Sequence, residues 1–99
     1  MHGLQFTATA QQQFDAALDW YVTIQPALGL RFKQATAHIL ERVQRNPRQF
    51  KLAIDPFRRV GIPHFPFEIF YALEDTTLVV YSVFHTSQDP AQWHTLLGH

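Results

Sequence analysis

The run Phe65-Pro66-Phe67-Glu68-Ile69-Phe70-Tyr71-Ala72-Leu73-Glu74-Asp75-Thr76-Thr77-Leu78-Val79-Val80-Tyr81-Ser82-Val83-Phe84-His85 decides the fold class. From Phe67 to Leu73, the residues Phe67, Ile69, Tyr71 and Leu73 recur with a period of two, which defines one face of a strand. From Leu78 to His85 the chain is apolar at nearly every position, the pattern of a central strand covered on both faces. Glu74-Asp75-Thr76-Thr77 is the tight connection between them. Before them, Phe57 to Ile62 reads as another strand, and Pro63 and Pro66 bracket the following turn, where a lost amide donor is tolerated.

Upstream the periodicity changes. Residues 3 to 8 alternate weakly and suit a short first strand with Leu4 and Phe6 on one face. Thr9 and Gln12 have the spacing of a capping box, and behind them Ala10, Phe14, Ala17, Leu18 and Tyr21 form one helical stripe ending near Pro26. Phe32, Ala35, Thr36, Ile39, Leu40 and Val43 form a second stripe, stopped by Asn46-Pro47 because the residue before proline is pushed out of the α region. A link of a few residues around Pro26 to Gly29 makes the pair an antiparallel hairpin, and its two stripes must both be buried by the strands. Asp89-Pro90 opens a short terminal helix with Trp93, Leu96 and Leu97. The predicted order is β-α-α-β-β-β-α, an α+β domain with a helical hairpin packed on an antiparallel-type sheet.

Ninety-nine residues make a single domain spanning 1–99, and 46% hydrophobic content supplies its core without a metal or disulfide. The absence of cysteine excludes a disulfide framework and a thiolate metal site, and makes a reducing cytoplasm the expectation. No apolar run approaches the roughly eighteen residues of a membrane span, and residues 1 to 9 lack the pattern of a signal peptide.

Zero net charge conceals a strong segregation. All eight Lys and Arg residues lie between Arg31 and Arg59, where only Glu41 and Asp55 oppose them, so this window carries +6 and the remainder −6. Such a segment, including Arg42, Arg45, Arg48, Lys51, Arg58 and Arg59, suits an acidic partner, either protein or nucleic acid. The bland alternative is a solvated helix face with loop charges.

The segment Phe65 to Tyr71 resembles the "FPY-x-I-x-Y" strand of ParE-like toxins. Arg58-Arg59 precede it where that family has a basic strand, and Val83-Phe84-His85 with Asp89-Pro90 and Trp93 resemble its "V-x-H-x-x-R-D-P-x-x-W" ending. Trp20-Tyr21, Leu28 to Phe32 and Asn46-Pro47 are similar to its helical hairpin. The likeness spans nearly the whole chain, in order, and identifies the RelE/ParE toxin superfamily of type II toxin–antitoxin systems.

That resemblance implies a toxin with no cofactor, neutralised by a cognate antitoxin whose extended segment folds onto it, and assembled as a homodimer or a toxin–antitoxin hetero-oligomer. For ParE-like members it implies inhibition of DNA gyrase by protein contact. The first alternative is a ribosome-dependent mRNA endoribonuclease, for which Arg59 and His85 are the catalytic candidates and Trp93 stands where a stacking Tyr is found. Against it, positions basic in such nucleases are Glu68 and Ser87, and a carboxylate repels a transition-state phosphate. A third reading is a non-toxic homologue that retains only antitoxin binding, because residues 86 to 99 carry no Lys or Arg.

Trp20 lies off the buried stripe and is a candidate contact for antitoxin or target, with Arg45, Arg48, Lys51, Arg58, Arg59 and Trp93. For His85 the structural reading is a packing residue, since alternation from Val79 and Val83 places it on an apolar face. His38 lies mid-helix, while His2, His64, His94 and His99 have no i, i+4 partner, so no metal site is expected.

Overall fold

The computed structural model describes residues 2–87. In chain order its elements are β1 (Gly3–Phe6), α1 (Ala8–Ile24), α2 (Pro26–Arg45), a 3-10 turn (Pro47–Gln49), β2 (Lys51–Ile54), β3 (Phe57–Gly61), β4 (Phe67–Glu74) and β5 (Thr77–His85). The expected terminal helix and Trp93 lie outside the described residues. The α+β architecture and the helical hairpin are as the sequence predicts, but several local expectations change.

The sheet order is β1-β5-β4-β3-β2, and β1 pairs with β5 in parallel while the other three pairings are antiparallel. The sheet is therefore mixed, because the hairpin carries the chain from β1 back across one face before the meander of β2 to β5 begins. The strand β2 has no counterpart in the sequence reading. Its four residues alternate too little to declare themselves, and only pairing with β3 makes them a strand.

The N-cap of α1 is Thr7, not Thr9: Thr7 Oγ1 accepts from the Ala10 amide at 3.1 Å. The Thr7 amide itself donates to the Val80 carbonyl, so the chain passes from sheet pairing into helix within one residue. Residues 26 to 29 are helical, and only Gln25 separates the helices, because Pro26 occupies the first turn of α2, where its missing donor costs nothing. The hairpin closes tightly. A Cβ on Gly29 would lie 2.4 Å from Val22 Cγ2 and 3.3 Å from Val22 backbone atoms, so this crossing requires glycine.

Both helical stripes are buried on one sheet face. Phe32 is fully buried, with ring centroids of Tyr21, Phe65, Phe14 and Phe67 at 5.0 to 5.5 Å. Edge-to-face aromatic pairs contribute about 1 kcal/mol each beyond their area. Ile69, Tyr71, Leu78, Val80 and Val83 complete this core from the sheet. The opposite face carries a smaller cluster of Phe57, Phe70, Ala72 and Phe84.

Alternation fails at one place in β5. Phe70 pairs with Ser82 and Tyr71 with Val80, so Tyr81 is an extra residue in a bulge. Before it Leu78 and Val80 face the helices; after it Val83 does. The expectation that Val79 and Val83 share a face is thereby corrected: the bulge inverts the parity between them.

Candidate functional site

From Arg42 onward the basic residues gather at one end of the molecule, where α2 ends, the 3-10 turn follows and β2 and β3 form a sheet edge. Arg45 is exposed and ion-paired with Glu41 at 2.6 Å, one helical turn away. Arg42 lies over the Phe50 ring at 5.8 Å from its centroid. Both also complement the negative end of the α2 dipole. Arg48 and Lys51 are exposed.

Arg58 and Arg59, adjacent in sequence, part company in space. Arg58 pairs with Tyr71 and Leu52 in register and so points toward the helix side, where its Nη1 donates to the Phe50 carbonyl at 2.6 Å. Arg59 pairs with Phe70 and Lys51 on the open face, beside Glu68 at 3.8 Å. Lys51 and Arg59 face each other across β2 and β3, a like-charge pairing that Glu68 partly offsets.

Beneath Arg58, Tyr71 donates to the Pro47 carbonyl at 2.6 Å. Burial pushes its hydroxyl pKa up to about 12, against the opposing influence of the Arg58 charge. The recess above it, about 220 Å³, is bounded by the 3-10 turn, β2 and β4. Tyr81, on the bulge, donates to Glu74; that hydrogen bond, then burial, then the carboxylate charge raise its pKa.

His85 ends β5, its ring edge-on to Phe67 at 5.2 Å between centroids. The Ser87 amide donates to His85 Nδ1 at 3.0 Å, with Ser87 Oγ at 2.6 Å from the same nitrogen. An amide can only donate, so Nδ1 is the acceptor and the neutral imidazole carries its proton on Nε2. A base acting through Nδ1 would first have to give up the Ser87 contacts. His85 also borders a recess of about 290 Å³ with Gln13, Ala16 and Ala17 of α1 and with Phe67 and Val83.

Trp20 is 63% exposed, one helical turn beyond Ala16 on the same side of α1, and Ile24 follows one turn later at 56%. A third, larger recess of about 460 Å³ lies between the helices and β1, with Leu4, Phe6, Phe14 and Leu40 in its walls. Arg45, Arg48, Lys51 and Arg58 thus share one end of the molecule, whereas Trp20 and His85 belong elsewhere. Sequence reading missed Tyr71 as a partner of Arg58, for which strand pairing was the only available signal. Among the described residues no group of three or more His, Asp or Glu comes together to hold a metal ion, and no helix is long and apolar enough to cross a membrane.

A helical hairpin on one face of a five-stranded mixed sheet is an α+β fold that solved structures share. A structure described as a chromosomal ParDE system from P. aeruginosa superposes with a TM-score of 0.73 at 19% identity, covering 86% of this chain and 96% of that one. The isolated E. coli RelE toxin gives 0.66 at 16% identity over 98% and 97% of the two chains. A copper-bound mutant toxin from Helicobacter pylori gives 0.61 at 19% over 88% and 97%. No curated protein sequence matches. The model of the ParE toxin of the type II toxin–antitoxin system parDE matches residues 4–90, and the chain belongs to that family. Membership implies an antitoxin partner.

Proposed function

We propose that this ParE-family toxin acts by protein contact, inhibiting DNA gyrase, and that a cognate antitoxin neutralises it. The observation that carries the choice against RNA cleavage is Glu68 beside Arg59 on the open face. A phosphodiester approaching Arg59 would meet a carboxylate about 4 Å away, whose repulsion offsets the attraction of the arginine. The hydrogen-bonded Nδ1 of His85 supports the same reading, since it is engaged by Ser87 rather than poised toward a substrate hydroxyl. Protein contact needs no such catalytic set. It needs exposed anchors, and Trp20 with Ile24 on α1 and the cations at the β2–β3 edge supply apolar and charged ones.

For the antitoxin, the recess between the helices and β1 accommodates apolar side chains of a segment that folds on binding. The deciding experiment adds purified protein to gyrase and follows supercoiling of relaxed plasmid. Inhibition that rises with toxin and is reversed by the antitoxin supports the reading; full supercoiling at saturating toxin overturns it. Cleavage of translated mRNA in a reconstituted ribosome system would move the activity to the nuclease class instead.

A further inference from the structure

The two ion pairs formed among the described residues employ Arg45 and Arg59, and neither includes Arg58. Yet Arg58 is half-buried, and a guanidinium withdrawn from water without a carboxylate carries a desolvation cost. One of its nitrogens is fixed by the Phe50 carbonyl at 2.6 Å, which holds the planar fork in place. The fork borders the recess of about 220 Å³ that Arg48, Leu52, Asp55, Pro56 and Tyr71 also line.

We propose that this recess is a binding site for a single carboxylate on a short aliphatic stem, gripped by Arg58 and Arg48. The charge of the lining selects the ligand: two arginines against Asp55 leave one net positive charge, which a monoanion neutralises. A phosphate dianion would overshoot and be repelled by Asp55. Leu52, Pro56 and the Tyr71 ring supply apolar walls for the stem. Tyr71 spends its proton on the Pro47 carbonyl, which leaves the anion to the arginines. The Lys51 and Arg59 side chains lie on the opposite sheet face, so the site is separate from the open face. A free short-chain acid and a glutamate side chain of a bound polypeptide share this chemistry.

The test is titration of isotopically labelled full-length protein with sodium propionate, and separately with a capped peptide containing one glutamate, at ionic strength held constant with sodium chloride. Saturable shifts of the Leu52, Tyr71 and Leu73 amides are expected with propionate. Arg58→Gln should weaken binding about tenfold or more, the loss of a charge-assisted hydrogen bond. Because Arg58 also bonds Phe50, Arg48→Gln is the second variant: its side chain is exposed, its fold should be unchanged, and binding should weaken at least about threefold. Peptide binding tighter than propionate assigns the site to polypeptide partners, and equal or weaker peptide binding assigns it to free acids. Linear shifts indistinguishable from those of chloride, undiminished binding in Arg48→Gln, or phosphate bound as tightly as propionate would each overturn the proposal.

Discussion

Gln13 Oε1 accepts the backbone N–H of Val83 at 2.8 Å and lies 3.1 Å from Ser82 Oγ, so a side chain of α1 satisfies the strand β5 just beyond its bulge. The extra residue at Tyr81 disrupts the ladder there, and both Ser82 and Val83 are buried. Replacing Gln13 by Ala should leave those donors without their partner and cost about 1–3 kcal/mol. Gln13→Glu, which keeps the acceptors, should cost less. Urea unfolding of the two variants checks the order, and equal losses would contradict it.

The crossing of Gly29 and Val22 predicts a compensating pair. Gly29→Ala gains up to about 1 kcal/mol of helix propensity but drives a Cβ into Val22, whose β-branched side chain is stiff at χ1 and whose backbone stands at 3.3 Å. Net destabilisation is expected in the native background. In a Val22→Ala background, where the 2.4 Å contact is gone and only the backbone contacts at 3.3 Å remain, the same change should cost less. A thermal-unfolding double-mutant cycle should therefore show a coupling well above the roughly 0.5 kcal/mol of independent sites.

Glu68 shields Arg59, so its removal should change how the open face meets polyanions. Glu68→Ala is expected to raise affinity for a single-stranded oligonucleotide several-fold at low salt and to steepen the salt dependence by about one unit of slope. Elution from a heparin column gives a first measure. The same variant should not acquire ribosome-dependent cleavage, since His85 Nδ1 remains engaged by Ser87.

Tyr71 predicts an alkaline limit to stability. Its folded pKa, about 12, lies above the ordinary value of 10.0, so folding favours the protonated phenol. The corresponding stability is fully present below pH 10 and is lost as pH rises toward 12. Tyr71→Phe should remove this component of the pH dependence while costing about 1 kcal/mol at neutral pH, through the lost hydrogen bond to Pro47. Tyrosinate absorbance during base titration should show a phenol, absent in Tyr71→Phe, ionising near pH 12, together with loss of tertiary structure.

Much of this protein was legible in its residues because the signals are local. The stripes containing Tyr21 and Phe32 specified two helices, the alternation from Phe67 to Leu73 specified a strand with its core face, and Trp20 fell off its stripe and is exposed. Charge segregation between residues 31 and 59 is likewise a property of the chain itself. The candidate site was legible only as a set of arginines. Tertiary structure decided which of them share a surface, because strand pairing sent Arg58 toward Tyr71 and Arg59 toward Glu68. It also made β2 a strand, set β1 parallel to β5, and inverted the parity of β5 at Tyr81. Each of these depends on backbone hydrogen bonds between segments distant in sequence, whereas helical stripes and strand alternation are set by near neighbours along the chain.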